Sequence, residues 1–390
     1  MRVEYDPLGL KRTLLFFVLA ILAGRAAGAI LPGFRIEKLG DANGGFISSI
    51  AVDSKGTIYY TTTGGAIARL DGVVVARVST DATGNSGLLG MALEDDHTAV
   101  VHYTTPNQTY DVIARVDLTN GTQAVVHAFV GDIGNSARGV SPEHHGGNPI
   151  IADDGAIIVG IGDYGAVQIA ALPEWNAGKI FRIARDGSVT QIARGFRNPF
   201  DLAWDPDKQL VVAPDNGDAI DDEINIIDQR GGFFGWPITM GNEPAVDGAI
   251  APVYVFPEVN APTGIARITH HKGFLLTTFV TSTLYFFDSV AAPKPIAIIQ
   301  RETGPLIDVA EGPNGEIFFA TGTAIYRLIT PQRGDCNGDG IVSFADVTAI
   351  DTANAASWGC DADGDGLITA NDRGALMRLL TNRFPSIRRR

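Results

Sequence analysis

The residues of this chain with the clearest chemistry form two acidic twelve-residue segments near its C-terminal end. They read DCNGDGIVSFAD, residues 335–346, and DADGDGLITAND, residues 361–372. Calcium prefers about six to eight oxygen ligands, and calcium loops supply them from positions 1, 3, 5, 7, 9 and 12, with glycine at position 6. A pair of acidic surface turns is the alternative, but two full matches in one chain favour calcium. The predicted ligands are Asp335, Asn337, Asp339, Ile341 (carbonyl), Ser343 and Asp346, then Asp361, Asp363, Asp365, Leu367 (carbonyl), Thr369 and Asp372.

The two cysteines of the chain, Cys336 and Cys360, both lie in this region. In an exported protein such a pair can form a disulfide. A bridge across roughly 25 residues would stabilise the region by about 3 kcal/mol in the chain-entropy model. Two free thiols are the alternative.

Two features of the acidic segments resemble the dockerin family. Position 12 is Asp in both, where an ordinary EF-hand has Glu, and one helical segment follows each loop without an obvious entering helix. The resemblance implies a small all-α calcium-binding dockerin, residues 332–385, that docks to a cohesin-like protein. Positions 10 and 11, Phe344-Ala345 and Ala370-Asn371, differ from the Ser-Thr pair of many cellulosomal dockerins. A calcium-stapled C-terminal cap is the alternative.

A second group of chemically suggestive segments lies in the middle of the chain. They are NSGLLGMAL from Asn85, EHHGGN from Glu143, GKIFRIARDGSV from Gly178, GFRNPFDLAWDP from Gly195, and residues 215–237 with DDEIN and GWP. Together they resemble the soluble glucose/sorbosone dehydrogenase family, whose members are six-bladed propellers that use pyrroloquinoline quinone and calcium. The resemblance covers most of residues 35–330.

The resemblance implies an oxidation in which a base removes a sugar hydroxyl proton while hydride moves to a quinone carbon polarised by calcium. His144, which opens the HxGG segment, matches the family's base, and Asp163 in GIGDYG would orient it. Arg197 and Asn198 match the cofactor-contacting pair. Each assignment has an alternative. His144 would be a loop-end histidine hydrogen-bonded to backbone, and Asp163 would be a simple turn residue. Arg197 and Asn198 would be a buried pair that only holds the fold.

Three further positions complete the implied site. Gly217 and Asp218 stand at the Gly-Pro step whose carbonyls hold the family's calcium, with an acidic solvated loop as the alternative. Asn85 occupies the place of a substrate-contacting Gln.

The chain departs from the family where cations should face the cofactor's three carboxylates. The basic positions are replaced by Thr281, Pro305 and Ile307, so that Arg182, Arg197 or Lys272 would have to compensate. Each lost charge-assisted contact costs about 1.5–3 kcal/mol.

The elements that must position these residues repeat along the chain. An alternating apolar stretch, a turn with Asp, Asn or Gly, and a second alternating stretch recur from Ile47, Gly87, Gly147, Pro199, Pro262 and Leu306. Period-two alternation predicts strands, and six copies predict an all-β six-bladed β-propeller over residues 30–331. A β-sandwich with accidental self-similarity is the alternative.

The N-terminus is typical of an export signal, predicted over residues 1–29. Arg2, Lys11 and Arg12 precede the apolar run 14–23, and Ala27-Gly28-Ala29 forms a small-x-small cleavage site. The run is too short for a stable membrane span, although a retained anchor is the alternative. We therefore expect a secreted, extracellular or periplasmic protein.

The net charge of −14 argues against nucleic-acid binding, which needs a basic face. The basic tail 386–390 is interpreted as a solvated end. The sequence predicts an exported calcium-binding oxidoreductase that oxidises a sugar or related alcohol with a quinone and is attached to a partner through its dockerin. The alternatives are a carbohydrate-binding or scaffold-borne propeller without the quinone site, and a calcium-dependent lactonase-like hydrolase that uses Asp163 and Asp222.

Overall fold

Strands dominate the part of the chain that the structure describes. The structure is a computed structural model that describes residues 28–131 and 143–383, apart from 219, 229, 245 and 247. Nearly all of the predicted signal segment and the whole basic tail lie outside these residues. Among the described residues, no helix has the length and apolar character needed to cross a membrane.

The strands form six antiparallel sheets, which we call blades one to six, each given from its innermost strand outward. Blade one contains β3 (Ile47–Val52), β4 (Ile58–Thr62), β5 (Ala66–Arg69) and β6 (Val74–Arg77). Blade two contains β7 (Leu88–Leu93), β8 (Thr98–Thr104), β9 (Tyr110–Asp117) and β10 (Gln123–Val130). Blade three contains β11 (Ile150–Ile151), β12 (Ile157–Ile161), β13 (Lys179–Ile183) and β14 (Val189–Arg194). Blade four contains β15 (Ala203–Asp205), β16 (Leu210–Asp215), β17 (Glu223–Ile227) and β18 (Tyr254–Val255). Blade five contains β19 (Pro262–Ile268), β20 (Gly273–Thr278), β21 (Thr283–Phe287), β22 (Ile296–Gln300) and the added β1 (Ala29–Ile30). Blade six contains β23 (Leu306–Glu311), β24 (Ile317–Thr321), β25 (Ala324–Ile329) and β2 (Arg35–Asp41).

The blades close into a ring, which confirms the six-bladed propeller. The innermost strands of successive blades are neighbours, and β23 of blade six lies beside β3 of blade one. The outermost strand of blade six is β2 from the beginning of the chain, with Arg35 paired to Ile329 of β25. Strands from both ends of the propeller sequence thus share one sheet, and the sheet hydrogen bonds hold the ring closed.

The core consists of apolar layers between neighbouring blades. The second strands show this best, because β4 and β12 are buried at every position. A strand covered on both faces has a continuous apolar sequence rather than a strict alternation. Such strands give each blade a rigid centre from which the connecting loops project.

Polar side chains tie neighbouring blades together near the ring axis. Asp308 of blade six accepts a hydrogen bond from the Ile50 amide of blade one at 2.8 Å, and Asp201 accepts one from the Ile265 amide at 2.7 Å. Burial raises the pKa of Asp308 to about 6. Burial and the nearby Asp308 raise the pKa of Asp201 well above its usual value.

The C-terminal segment contains two α-helices, α1 (Phe344–Ala349) and α2 (Ala370–Arg383), and short 3-10 turns at Ile350–Thr352 and Trp358–Cys360. Ser343 and Asp346 form a capping box at the start of α1. A small core packs between the helices and loops, formed by Val342, Ala362, Ala375, Leu376 and Leu380. Cys336 and Cys360 form a disulfide rather than two free thiols.

Trp358 anchors the C-terminal segment to the propeller. Only 4% of this residue is exposed. Its ring stacks on His271 with centroids 3.9 Å apart, and it meets Phe34 and Phe286 edge-on at 5.2 and 5.1 Å. The segment therefore shares the apolar core of blades five and six.

Candidate active site

The residues predicted for catalysis and cofactor binding lie at one end of the ring, which we call the mouth. The mouth is formed by the loops that enter β11, β13, β15 and β17. These loops contact one another directly: the Asp163 amide donates to the Arg197 carbonyl at 2.8 Å, and the Asn216 side-chain amide donates to the Asn198 carbonyl at 3.0 Å. The opposite face carries the hairpin turns, such as the one between β11 and β12.

His144 and Asp163 form a hydrogen-bonded pair in the mouth. Nδ1 of His144 lies 2.7 Å from Oδ1 of Asp163, whose carboxylate is fully buried, while 13% of the His144 side chain is exposed. A carboxylate can only accept, so Nδ1 carries the proton and Nε2 is the nitrogen that can accept one. The close approach requires Gly162, because a Cβ there would lie 2.0 Å from the His144 carbonyl oxygen.

Two further donors fix the Asp163 carboxylate. Oδ1 also accepts the Gly165 amide at 2.8 Å, and Oδ2 accepts the indole N–H of Trp236 at 2.9 Å. A buried carboxylate is stable only when such donors replace water. The sequence interpretation used GWP as a family signature and assigned no role to Trp236, which lies 73 residues from Asp163.

His145 is buried below the pair, bonded to a carboxylate of blade two. Its Nδ1 lies 3.0 Å from Oδ2 of Asp111, and both side chains are 1% exposed. Burial raises the pKa of Asp111, but interactions with His145, His102 and Tyr164 together outweigh it, so that the pKa is lowered. His144 is therefore the histidine of the EHHGGN segment that reaches the mouth.

Arg197 and Asn198 are placed beside the pair by the carboxylate of Asp215. Both backbone amides donate to Asp215, at 2.8 and 2.7 Å. Burial and nearby Glu223 raise the pKa of Asp215 well above its usual value. Oδ1 of Asn198 accepts the amide of Gly146 at 3.3 Å, which joins this loop to the one that carries His144.

The Arg197 guanidinium is only loosely paired. It lies 3.4 Å from the Asn216 carbonyl, 3.7 Å from the exposed carboxylate of Asp218, and 5.8 Å from the centre of the Trp236 ring. These weak contacts leave hydrogen-bond donors that an anionic or carbonyl group can engage.

The loop with Gly217 and Asp218 is held by Asp222. One oxygen of Asp222 accepts the Gly217 amide at 2.8 Å, and the other accepts the amides of Asn260 and Ala261 at 2.6 and 2.7 Å. Asp222 thus has a structural part in shaping the loop. Burial raises the pKa of neighbouring Glu223 to about 7.

Asn85 stands apart from this group. It is exposed in the loop between β6 and β7, which opens at the mouth end of blades one and two. Within the described ranges, the structure gives it no hydrogen bond to any of the other predicted site residues.

The three positions at which the sequence analysis looked for basic residues carry neutral side chains. Thr281 is buried and donates to Asn260 at 2.8 Å, and Ile307 is 3% exposed. Pro305 is exposed in the loop that enters β23, at the mouth end of blade six.

Two of the three cations expected to compensate are on the opposite face. Arg182 pairs with Asp154 in the turn between β11 and β12, and Lys272 is in the turn between β19 and β20. Of the three residues considered, only Arg197 is at the mouth, so compensation by Arg182 or Lys272 was a wrong expectation.

Each of the two acidic C-terminal segments folds back on itself, so that its backbone amides meet its own carboxylates. In the first, Gly340 donates to Oδ2 of Asp335 at 2.9 Å, and Asp346 accepts the amides of Asn337 and Ser343 at 3.0 and 2.7 Å. Oδ1 of Asp335 is buried, and no described group bonds to it. An unpaired buried carboxylate oxygen is costly unless a cation satisfies it, so these donors fit a metal.

The second segment converges in the same way. Oxygens of Asp361, Asp363 and Asp372 lie within 4.8 Å of one another. Gly366 donates to Asp361 at 3.0 Å, and burial raises the pKa of Asp361. Asp339 and Asp365 accept the amides of the position-7 residues at 2.8 and 2.9 Å, while the side chains of Ile341 and Leu367 are exposed. The side-chain oxygens of Ser343 and Thr369 accept hydrogen bonds from the backbone amides of Ala345 and Asn371.

Solved structures of sugar dehydrogenases share this fold. The PQQ-bound aldose sugar dehydrogenase of Streptomyces coelicolor matches with a TM-score of 0.65 at 22% identity, over 77% of this chain and 99% of that one. The soluble aldose sugar dehydrogenase of Escherichia coli matches with a TM-score of 0.66 at 18% identity, over 76% and 99%. A model of the "Glucose / Sorbosone dehydrogenase" family matches residues 43–329, and the chain belongs to that family.

Two curated relatives match over a smaller part of their length. Quinoprotein glucose dehydrogenase B of Acinetobacter calcoaceticus is 28% identical over 212 residues, which are 43% of each chain. An uncharacterized protein of Synechocystis is 27% identical over 227 residues, which are 50% of this chain and 54% of that protein. The chain thus spans about half the length of the curated relatives it matches.

Proposed function

We propose that this protein oxidises a hydroxyl group of an aldose or related alcohol at the mouth, with His144 as the general base. The observation that carries the proposal is the 2.7 Å bond between Nδ1 of His144 and the buried Asp163. Asp163 holds the imidazole so that Nε2 can take the hydroxyl proton and the carboxylate can stabilise the charge that forms. Family membership supports the same reaction class.

The acceptor that we propose is pyrroloquinoline quinone, with calcium beside it. When bound, a calcium-polarised quinone supplies the electrophilic carbon that takes the hydride. Arg197 and Asn198 would hold the quinone, and carbonyls of Gly217 and Asp218 would hold the metal. The neutral Thr281, Pro305 and Ile307 make the pocket less cationic, so we expect weaker binding than in a pocket with all its cations.

Cofactor titration tests the proposal. Purified protein is mixed with calcium chloride and pyrroloquinoline quinone, and binding is followed by tryptophan fluorescence and by quinone absorbance. A panel of aldoses with a redox dye then reports turnover. We expect saturable binding and sugar-dependent dye reduction; no binding at micromolar quinone would overturn the proposal.

Restoring one missing cation should strengthen cofactor binding. Pro305→Arg places a guanidinium on the exposed loop at the mouth end of blade six. One new charge-assisted contact is worth about 1.5–3 kcal/mol, so we expect the quinone Kd to fall about ten- to a hundred-fold. The measurement is the same fluorescence titration.

The matched control for this gain is Ala291→Arg. Ala291 is exposed between β21 and β22, on the face opposite the mouth, so the variant adds the same charge away from the site. An equal gain in both variants would mean that net charge, rather than a specific contact, causes the effect.

A propeller that binds sugar without oxidising it is the second candidate, and the buried neutral Thr281 and Ile307 favour it. Such a protein would retain a sugar in equilibrium dialysis but would fail the quinone titration. The lactonase-like alternative is less favoured, because both oxygens of Asp222 are engaged by backbone amides.

We also propose that residues 332–385 form a dockerin-like module that binds two calcium ions and attaches an exported enzyme to a cohesin-like partner. The converging carboxylates and the unpaired oxygen of Asp335 support calcium binding. Phe344 at position 10 of the first loop is 54% exposed, so it is available for contact with a partner. Pull-down of a cohesin panel with and without calcium tests the partner.

A further inference from the structure

Trp236 lies in a long connection that returns to the mouth from the outer part of blade four. The connection runs from the end of β17 at Ile227 to the start of β18 at Tyr254. Ordered connections of this length are usually functional. The Trp236 amide donates to the Gly195 carbonyl at 3.1 Å, which fixes the backbone two residues before Arg197.

The indole of Trp236 holds the side of Asp163 that faces away from His144. Its N–H donates to Oδ2 of Asp163 at 2.9 Å, while Oδ1 bonds to His144 at 2.7 Å and to the Gly165 amide at 2.8 Å. Asp163 is fully buried, so water does not readily replace a lost donor. Without the indole N–H, one carboxylate oxygen has no partner and the group gains freedom to rotate.

The ring of the same side chain supports Arg197, whose guanidinium carbon lies 5.8 Å from the ring centre. A cation over an indole face is attracted by the ring quadrupole. One side chain therefore contacts both the His144–Asp163 pair and the arginine proposed to hold the quinone.

We propose that Trp236 is a positioning residue: its indole N–H fixes Asp163, and through it the tautomer and orientation of His144, while its ring supports Arg197. The inference deepens the proposed oxidation and, as far as catalysis is concerned, rests on it. It assigns separate effects to the two parts of the side chain. Loss of the N–H should affect the base, and loss of the ring should also affect the cofactor.

Trp236→Phe keeps an aromatic ring and removes the N–H. We expect kcat to fall about ten-fold, with KM for the sugar and Kd for the quinone changing less than three-fold, because one buried hydrogen bond is lost at the base. Trp236→Ala should in addition raise the quinone Kd, because the ring beneath Arg197 is gone.

Ring-nitrogen NMR on the resting full-length protein tests the positioning without any turnover. Histidine is labelled with ¹⁵N, and the His144 signals are identified by their loss in His144→Gln. We expect the wild type to show Nδ1 protonated and Nε2 unprotonated at neutral pH. Trp236→Phe should show a mixture of tautomers at His144.

Trp204→Phe is the matched control. The Trp204 indole nitrogen is buried, and no described group accepts from it, so its removal costs no hydrogen bond. An unchanged His144 tautomer in Trp236→Phe, or the same change in Trp204→Phe, would overturn the inference. A wild type that oxidises no sugar, together with a tautomer change in Trp236→Phe alone, would reject the oxidation and keep the positioning.

A second measurement needs only a folded wild type. The chain has four tryptophans, so the Trp236 indole proton can be assigned by elimination with variants of the other three. Its hydrogen bond to the buried Asp163 predicts hydrogen exchange at least ten-fold slower than that of an exposed indole. Exchange at the exposed rate would overturn the inference even if Trp236→Phe does not fold.

Discussion

His144→Gln is expected to lower the rate of quinone-dependent sugar oxidation by about a hundred- to ten-thousand-fold, because a positioned general base contributes this much. Gln can form hydrogen bonds but cannot take the hydroxyl proton at neutral pH. Quinone affinity should stay within a few-fold, since Arg197 and Asn198 are held by Asp215 and not by His144. Steady-state dye reduction and the fluorescence titration measure the two quantities separately.

His97→Gln controls for the loss of a histidine. His97 is exposed in the turn between β7 and β8, on the face opposite the mouth, and should retain full turnover. Unchanged turnover in His144→Gln would remove this residue from the role of base. The reaction would then need another proton acceptor at the mouth.

Much of the propeller was predictable because its innermost hairpins carry strong local patterns. The repeats from Ile47, Gly87 and Gly147 correspond to the β3–β4, β7–β8 and β11–β12 hairpins, and the other three repeats behave alike. Apolar residues packed between blades impose this pattern on the sequence. The outer strands are half exposed, so their alternation is weaker.

The closing strand β2 could not be predicted from the sequence. Its residues RIEKLGD are mostly polar and partly exposed, and its partner β25 is nearly the whole propeller away along the chain. Pairing over that distance depends on the ring being complete, and no local pattern encodes it. The sequence prediction therefore included this segment in the propeller, residues 30–331, but recognised repeats only from Ile47.

The candidate site was predictable only as far as the family motifs carried it. His144 and Asp163 were named from separate segments, and their distance now joins them. Trp236 was missed because its contact with Asp163 depends on how a long loop of blade four runs beside the end of β14 in blade three. Arg182 and Lys272 were considered as compensating cations on charge alone, and both lie near hairpin turns on the face opposite the mouth.

Calcium chelation is expected to unfold the C-terminal segment and to weaken blades five and six with it. A site held at a hundred-fold excess of calcium over Kd contributes about 2.7 kcal/mol, and two sites would contribute about twice that. Loop two begins directly after the Trp358–Cys360 turn, so loss of its metal should loosen Trp358 from Phe34, His271 and Phe286. Thermal unfolding followed by circular dichroism, with and without EDTA, measures the effect.

Asp361→Asn separates this effect from any calcium at the mouth, because it changes only the first ligand of loop two. It should lower the thermal stability in calcium and reduce the further loss caused by EDTA, whereas Asp186→Asn in an exposed propeller turn should do neither. Trp358→Ala should cost about 3–5 kcal/mol by opening the shared core, and calcium loss from loop two should then no longer lower the stability of the propeller. Circular dichroism and melting that EDTA does not change would contradict calcium binding in these loops. An EDTA-sensitive segment beside an unaffected propeller would instead show that Trp358 does not couple the two parts.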